Sequence, residues 1–393
     1  MAQEVQKSLN FTHTFASGDS APNLSEEQLL TKWLVLDGIP KFGAQTLVSL
    51  TQSIQCSPLS LLTFSHSQLK SIGFSPDQIT AILSPDHQKI ERQLMWCAAS
   101  NEHFAIYPGH PKYPKLLSEI ARPPFILFGI GNQALLNAPQ LAIVGSRRPS
   151  HYGRQQAVEF AQHIATSGFC ITSGLAAGID ACAHQGALNV GGSTIAVLGN
   201  GLKHIYPKRH QQLARSIVDN DGLILSEFHV DAAPKAHHFP RRNRLVSGLC
   251  CGVLVVEAAI KSGSLITAKY ALEQNREVMA IPGSLLNPLS EGGHHLIKQG
   301  AKLVTDINDI LEEFQNVSSC NTSTVCKKIQ KSPSESLATD KLLDSVGHDV
   351  TALDVIIQRS KLPINDVLVQ LLEYELRGSV ASVPGGYVKL RGK

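Results

Sequence analysis

Between positions 140 and 312, short apolar runs alternate with longer stretches whose apolar residues recur every three or four positions. Seven runs, at 141–144, 170–172, 194–198, 223–226, 252–256, 277–281 and 302–304, read as strands. Continuous apolar runs of this length predict strands covered on both faces. Helical segments at 153–167, 180–189, 210–219, 264–274 and 294–299 separate them, and 126–129 offers one more strand. Such alternation predicts an α/β fold, a doubly wound parallel sheet with right-handed crossovers. Ligands of such sheets sit at the carboxyl ends of the strands. The segments that follow the strands therefore matter most: GSRR at 145, SGLAAGID at 173, GNG at 199, SEF at 226, EAAIKSGS at 257 and PGS at 282.

The flanking pattern is different. Residues 1–23 are polar and rich in Ser and Thr, a flexible tail, and 24–100 carry apolar residues at helical spacing. Ser25 with Gln28 starts the first helix, and glycine-containing turns give paired helices of a helix-hairpin-helix or SAM-like kind. Pro40 and Lys41 stand in the GIPKFG turn where a phosphate-binding turn wants glycine, so this module is read as packing. Prolines 108, 111 and 114 mark an extended lead-in to a sheet domain at 101–314. Residues 315–338 have the composition of a linker. The last domain, 339–393, reads as three helices and a hairpin at Pro384, Gly385 and Gly386, a winged helix. On its third helix Ile364, Val367, Leu368, Leu371, Leu372 and Leu376 form one apolar face. The opposite face carries Asn365, Asp366, Gln370, Glu373 and Glu375, with only Arg377 positive. An acidic helix repels phosphate, so partner or dimer docking is expected there rather than groove reading by a transcription regulator.

Composition adds limits. With 393 residues and 43% apolar content the chain is long enough for two or three domains, and its net charge of +3 alone does not prove a polyanion partner. The eight cysteines show no CxxC and no ligand-like spacing with histidine, so no metal is expected, and they suit a reducing cytoplasm. No segment approaches the ~18 apolar residues of a membrane span. Walker A and GxGxxG motifs are missing, so neither ATP nor a dinucleotide cofactor is signalled.

The strand ends supply hydroxyls and close backbone approach at Ser146, Ser173, Gly174, Ser262 and Ser264, suited to a phosphate or sugar. Cations follow in sequence: Arg147, Arg148, Lys208, Arg209, Lys235, Arg241, Arg242 and Arg244. The densest basic run, HHFPRRNR at 237–244, includes Phe239. Arginine for phosphate beside an aromatic for base stacking fits single-stranded nucleic acid. Arg242 or Arg244 equally read as ion-pair partners of Asp180, Glu227 or Glu257. Asp180 reads as the N-cap of the segment after it, with a general base or ribose ligand as the competing role. His184 reads equally as a packed histidine. Ser146 and Ser173 have no base evident in the sequence, so no catalytic residue is assigned.

Taken with their spacing, IVGSR at 143, TSGLAAGIDACAH at 172, TIAVLGNGLKHIYP at 194, ILSE at 224, FPRRNRLVSGL at 239, LVVEA at 254, SGSLITA at 262 and AIPGS at 280 resemble the DNA-processing protein A (DprA/Smf) family. The resemblance covers 107–311 strongly and agrees with the helical module and winged helix. It implies an extended Rossmann-like domain that binds single-stranded DNA, forms a homodimer, and helps load the RecA recombinase in natural transformation without being an enzyme. Carried over, Gly145, Ser146 and Arg147 would hold the DNA backbone, Phe239, Arg242, Asn243 and Arg244 would form a wall, and Ser262, Gly263 and Ser264 would cap a helix toward it. Arg148 lies outside the motif and reads as a surface charge. Ala177 departs from the family's basic residue, Lys203 from its aspartate and His294 from its asparagine; Lys203 would compensate for Ala177 if it faced the same side. The rival reading is a nucleoside-monophosphate phosphoribohydrolase on a related sheet. Its PGGxGTxxE motif has no counterpart in the sheet domain.

Overall fold

The computed structural model describes residues 24–314, 341–347 and 350–390. The expected tail at 1–23 and linker at 315–338 lie outside the described residues. The chain divides into two compact units, one holding the helical module and the sheet, the other the C-terminal helices and hairpin.

The helical module is started by repeated local chemistry. Ser25, Ser65 and Ser75 each accept a hydrogen bond from the amide three residues on, and Gln28, Gln68 and Gln78 reach back to the cap amide. Each box satisfies two otherwise orphaned groups. The boxes open helices Glu26–Asp37, His66–Ser71 and Pro76–Leu83, while the Asp86 side chain caps His87–Ala98 and Ala44–Ile54 starts at Gly43 without a side-chain cap. Leu34, Leu36, Leu47, Leu61 and Leu69 are almost wholly buried between them. Trp33 lies 6.2 Å from Tyr107 and 5.8 Å from Phe125, ring to ring. One apolar cluster thus continues from the module into the sheet domain across position 100.

Nine strands form the main sheet in the order β1-β2-β6-β5-β4-β3-β7-β8-β9. Strands β1 (His103–Ile106) and β2 (Leu127–Gly131) are antiparallel, and β2 meets β6 antiparallel. The other seven are parallel: β3 (Gln140–Val144), β4 (Cys170–Ser173), β5 (Thr194–Val197), β6 (Leu223–Ser226), β7 (Gly252–Val255), β8 (Glu277–Ala280) and β9 (Lys302–Leu303). Six of them start where the apolar runs start, and β3 starts one residue earlier, at Gln140. Strands β3 to β7 are buried along their whole length, as continuous apolar runs require. The antiparallel β1 was expected only as an extended lead-in; its four residues alternate in burial and sit at the sheet edge. From β3 the chain steps to β4, β5 and β6 on one side, then returns to place β7 on the other side of β3. The switch point lies between β3 and β7, where a crevice opens in sheets of this kind.

The second unit has helices Lys341–Ser345, Leu353–Ser360 and Ile364–Leu376 and a hairpin of β10 (Val380–Val383) and β11 (Gly386–Lys389). Leu342, Val346, Ile356, Val367, Leu371, Tyr374 and Val380 form its core. The six-residue apolar face expected on the third helix splits. Val367 and Leu371 are buried with Tyr374, whereas Ile364, Leu368, Leu372 and Leu376 are exposed. Only one narrow stripe of a helix meets the two short helices and the hairpin, and 364, 368, 372 and 376 lie along the neighbouring row.

Candidate nucleic-acid interface

Backbone contacts between loops shape the edge at the switch point. The Ser146 amide donates to the Glu257 carbonyl at 2.6 Å, tying the loop after β3 to the loop after β7. Ser262 caps helix Gly263–Glu273, and the Ser264 hydroxyl donates to the Gly145 carbonyl at 2.7 Å. A side chain at Gly145 would strike Ile179 Cγ1 at 2.5 Å. Gly178 has φ +82°, and a Cβ there would lie 2.3 Å from the Ser146 carbonyl oxygen. Both glycines let the β3 and β4 loops close on each other.

The basic run is a helix, His238–Gly248. Proline is tolerated in its first turn, where no intrahelical amide partner is lost. Helical spacing then sorts the residues. Phe239, Arg242, Asn243 and Val246 fall at i, i+3, i+4 and i+7 and all face a cleft of about 650 Å³. Arg241 and Arg244 turn to the other side, where both reach Glu227 Oε2, at 3.0 and 2.6 Å.

The cleft is also lined by Gly145, Arg147, Gly174, Asp180, Tyr206, Ser262 and Ser264. The Arg147 guanidinium lies 5.7 Å from the centre of the Phe239 ring, and the Tyr206 ring is tilted against Phe239 with centroids 5.5 Å apart. Arg242 is buried: its Nη1 donates to the carbonyls of Gly174, at 2.6 Å, and Val197. Burial pulls its pKa down to about 10, against the opposing charge of Asp180. Asp180 is likewise held above the usual carboxylate range by burial, with Arg242 opposing. The N-cap of helix Ile179–Asn189 is Gly178, not Asp180. Asp180 accepts instead from the amides of Gly174 and Ala176, at 3.1 and 3.3 Å, and fixes the loop that precedes the helix.

Not every expected residue joins the cleft. Ser173 is fully buried and its hydroxyl donates to the Ile143 carbonyl at 2.6 Å, a stitch between β3 and β4. Arg244 is buried against Glu227, and exposed Lys235 is outside the lining. Ser146 acts within its loop, accepting from the Arg148 amide. Lys203 pairs with Asp231 at 2.7 Å and lines neither this cleft nor the adjoining surface around Ala177, so it does not replace a cation at 177. His184 is a core residue: its Nδ1 meets Thr194 Oγ1 at 2.7 Å, and burial lowers its pKa to about 3. The sequence reading missed Tyr206, Ile266 and Thr267 in the lining. A helical reading of 238–248 would have separated Arg242 and Asn243 from Arg244.

Fold and site define a three-part protein: a capped helical module, a Rossmann-like sheet with an arginine-lined crevice at its switch point, and a winged helix. Residues 104–315 match the family described as DNA recombination-mediator protein A, residues 27–95 the SMF/DprA SAM domain, and 328–386 the DprA winged helix domain. The chain belongs to the DNA recombination-mediator protein A family. Protein Smf of Escherichia coli (strain K12) is 46% identical over 326 residues, 82% of this chain and 87% of that protein. DNA processing protein DprA of Streptococcus pneumoniae is 50% identical over 203 residues, 52% of this chain and 71% of that protein. The X-ray structure of DNA processing protein A from Streptococcus pneumoniae superposes with a TM-score of 0.63 at 36% identity, over 74% of this chain and 99% of that one.

Proposed function

We propose that the switch-point cleft binds single-stranded DNA and that the protein acts by holding the strand and delivering it to a RecA-type recombinase, as a homodimer formed through the sheet domain. One observation carries the binding reading. Exposed Arg147 stands over Phe239 at the mouth of a cleft whose one lining carboxylate, Asp180, is engaged with backbone amides and Arg242. A guanidinium beside a ring offers one phosphate contact and one stacking face, which single strands use without base-specific bonds. Recombinase delivery is supported by the family's description as a recombination mediator. The nearly fully exposed Leu285 and Leu286, on the loop after β8, support a protein contact surface on the sheet domain.

A binding role without catalysis is supported by the way the edge's groups are spent. Ser173 donates to a carbonyl, Glu227 is held by two arginines, and His184 is buried and neutral. The reading is tested with Arg147→Ala and a labelled oligothymidylate. Losing one phosphate contact should lower the slope of log K against log salt by about 0.7 and weaken binding several-fold at low salt. Wild-type affinity and slope in the folded variant would remove the cleft from the binding surface.

A further inference from the structure

Beside the first cleft lies a second basin of about 560 Å³, and the two share Arg147, Gly174, Ala176, Tyr206, Phe239 and Arg242 as a common wall. Its remaining lining includes Arg148, Arg154, Arg209 and His210, and no Asp or Glu. Arg147, Arg148, Arg154 and Arg209 are all exposed, and none forms an ion pair among the described residues. Arginines gathered around a concave surface without carboxylates repel one another, and an anion relieves that repulsion. The charges also come from separate elements: the β3 loop, helix His151–Thr166 and the turn Lys208–His210. Their convergence is a product of the fold, not of one charged run. Ala176, Ala177, Gly178 and Ala181 keep this surface open to an incoming group.

We propose that this basin is a second backbone subsite, in which Arg148, Arg154 and Arg209 hold a phosphodiester neighbouring the one in the first cleft. The inference rests on the single-strand reading of the first cleft. Arg147 and Phe239 stand between the two subsites, so the strand passes over them, with a phosphate on either side of the ring. Arg148, a surface charge by sequence, becomes a ligand of this second phosphate.

The test uses the full chain, oligothymidylate of about 20 nucleotides and the double variant R154A/R209A, with R154K/R209K as a charge-retaining control. Both positions are solvent-exposed, so unchanged thermal unfolding is the check on folding. Removing two contacts should reduce the salt slope by roughly 1.4 and weaken binding on the order of tenfold at low salt, while the lysine pair keeps most of the slope. An alanine pair that keeps the wild-type slope and affinity overturns the proposal. Tripolyphosphate titrated in parallel separates a strand site from a site for free polyphosphate. Tripolyphosphate binding that the alanine pair abolishes, with oligothymidylate binding untouched, overturns it in favour of the free anion. Arg147→Ala measured alongside keeps the two readings apart. A loss there with no change in R154A/R209A removes only the second subsite, and no change in either removes both.

Discussion

The arginines under the switch-point edge and those on its rim are the same residue type in opposite roles. Below, Arg242 and Arg244 are buried, one bonded to two carbonyls and facing Asp180, the other fixed on Glu227. Above, Arg147, Arg148, Arg154 and Arg209 are exposed around two clefts with a single, already engaged carboxylate. Burying a guanidinium is tolerable only when acceptors replace its water, so the interior set is committed by the cost of leaving it unpaired. The rim set keeps its hydration and gives it up only to a ligand. A basic run in a sequence therefore reports neither role until the helix spacing divides it.

The largest expected effect lies in the interior. Arg244→Ala leaves the Glu227 carboxylate, 2% exposed, with only the half-exposed Arg241 to balance it. Removing one member of a buried pair costs about 3 kcal/mol or more. Chemical denaturation should show that loss, and adding Glu227→Gln to the same chain should recover much of it. A loss below about 0.5 kcal/mol would place Arg244 with the rim residues. Arg147→Ala should behave in the opposite way, with stability unchanged within about 0.5 kcal/mol and the loss appearing only in binding.

His184 gives the next largest effect and shows the same interior logic without a charge. Thr194 Oγ1 donates to the Ile171 carbonyl and so accepts from His184 Nδ1, while His184 Nε2 is buried with no hydrogen-bond partner among the described residues. A second proton there would have no acceptor. The folded pKa, about 3, lies below the ordinary 6.5, so this stabilising contribution is complete above pH 6.5 and is lost as pH falls toward 3. The loss is about 1.4 kcal/mol for each pH unit below 6.5. His184→Gln keeps an amide donor for Thr194 and removes the titration. The stability difference between wild type and variant should move against the wild type from pH 7 to pH 5 by about 2 kcal/mol. A difference independent of pH over that range would show that His184 is not held neutral by burial.

These contrasts also explain what could be read from the sequence. Strands β3 to β8 are visible because burial on both faces demands unbroken apolar runs, and their order of alternation gives the strand-end edge directly. Gly145, Arg147 and Ser264 follow from that edge. Strand β1 was not visible as a strand, because four alternating residues before a proline-rich stretch carry little pattern. Helix His238–Gly248 was hidden by Pro240 and by its low apolar content, so Arg242 and Arg244 stayed undivided. Arg154 gave no local signal at all, and Arg209 stood only as one cation among several in the loop after β5. Only the crossovers that bring helix His151–Thr166 and the turn Lys208–His210 to one rim make them neighbours.

The smallest effect is the sharpest test of the division, because it compares residues on one helix face. Arg241 bonds the same Glu227 oxygen as Arg244, at 3.0 Å, but its side chain is 57% exposed against 9% for Arg244. It also lies 5.3 Å from the Phe228 ring. Solvent screens an exposed pair, and Arg241→Ala leaves Glu227 with its buried partner in place, so the expected loss is about 0.5 kcal/mol. If the acceptor alone determined the energy, the two variants would lose the same amount. If burial determines it, Arg244→Ala should exceed Arg241→Ala several-fold in denaturation free energy. Neither should alter the salt dependence of oligothymidylate binding, since neither side chain lines a cleft. Equal losses from the two would mean that Glu227 draws on both arginines together as one network.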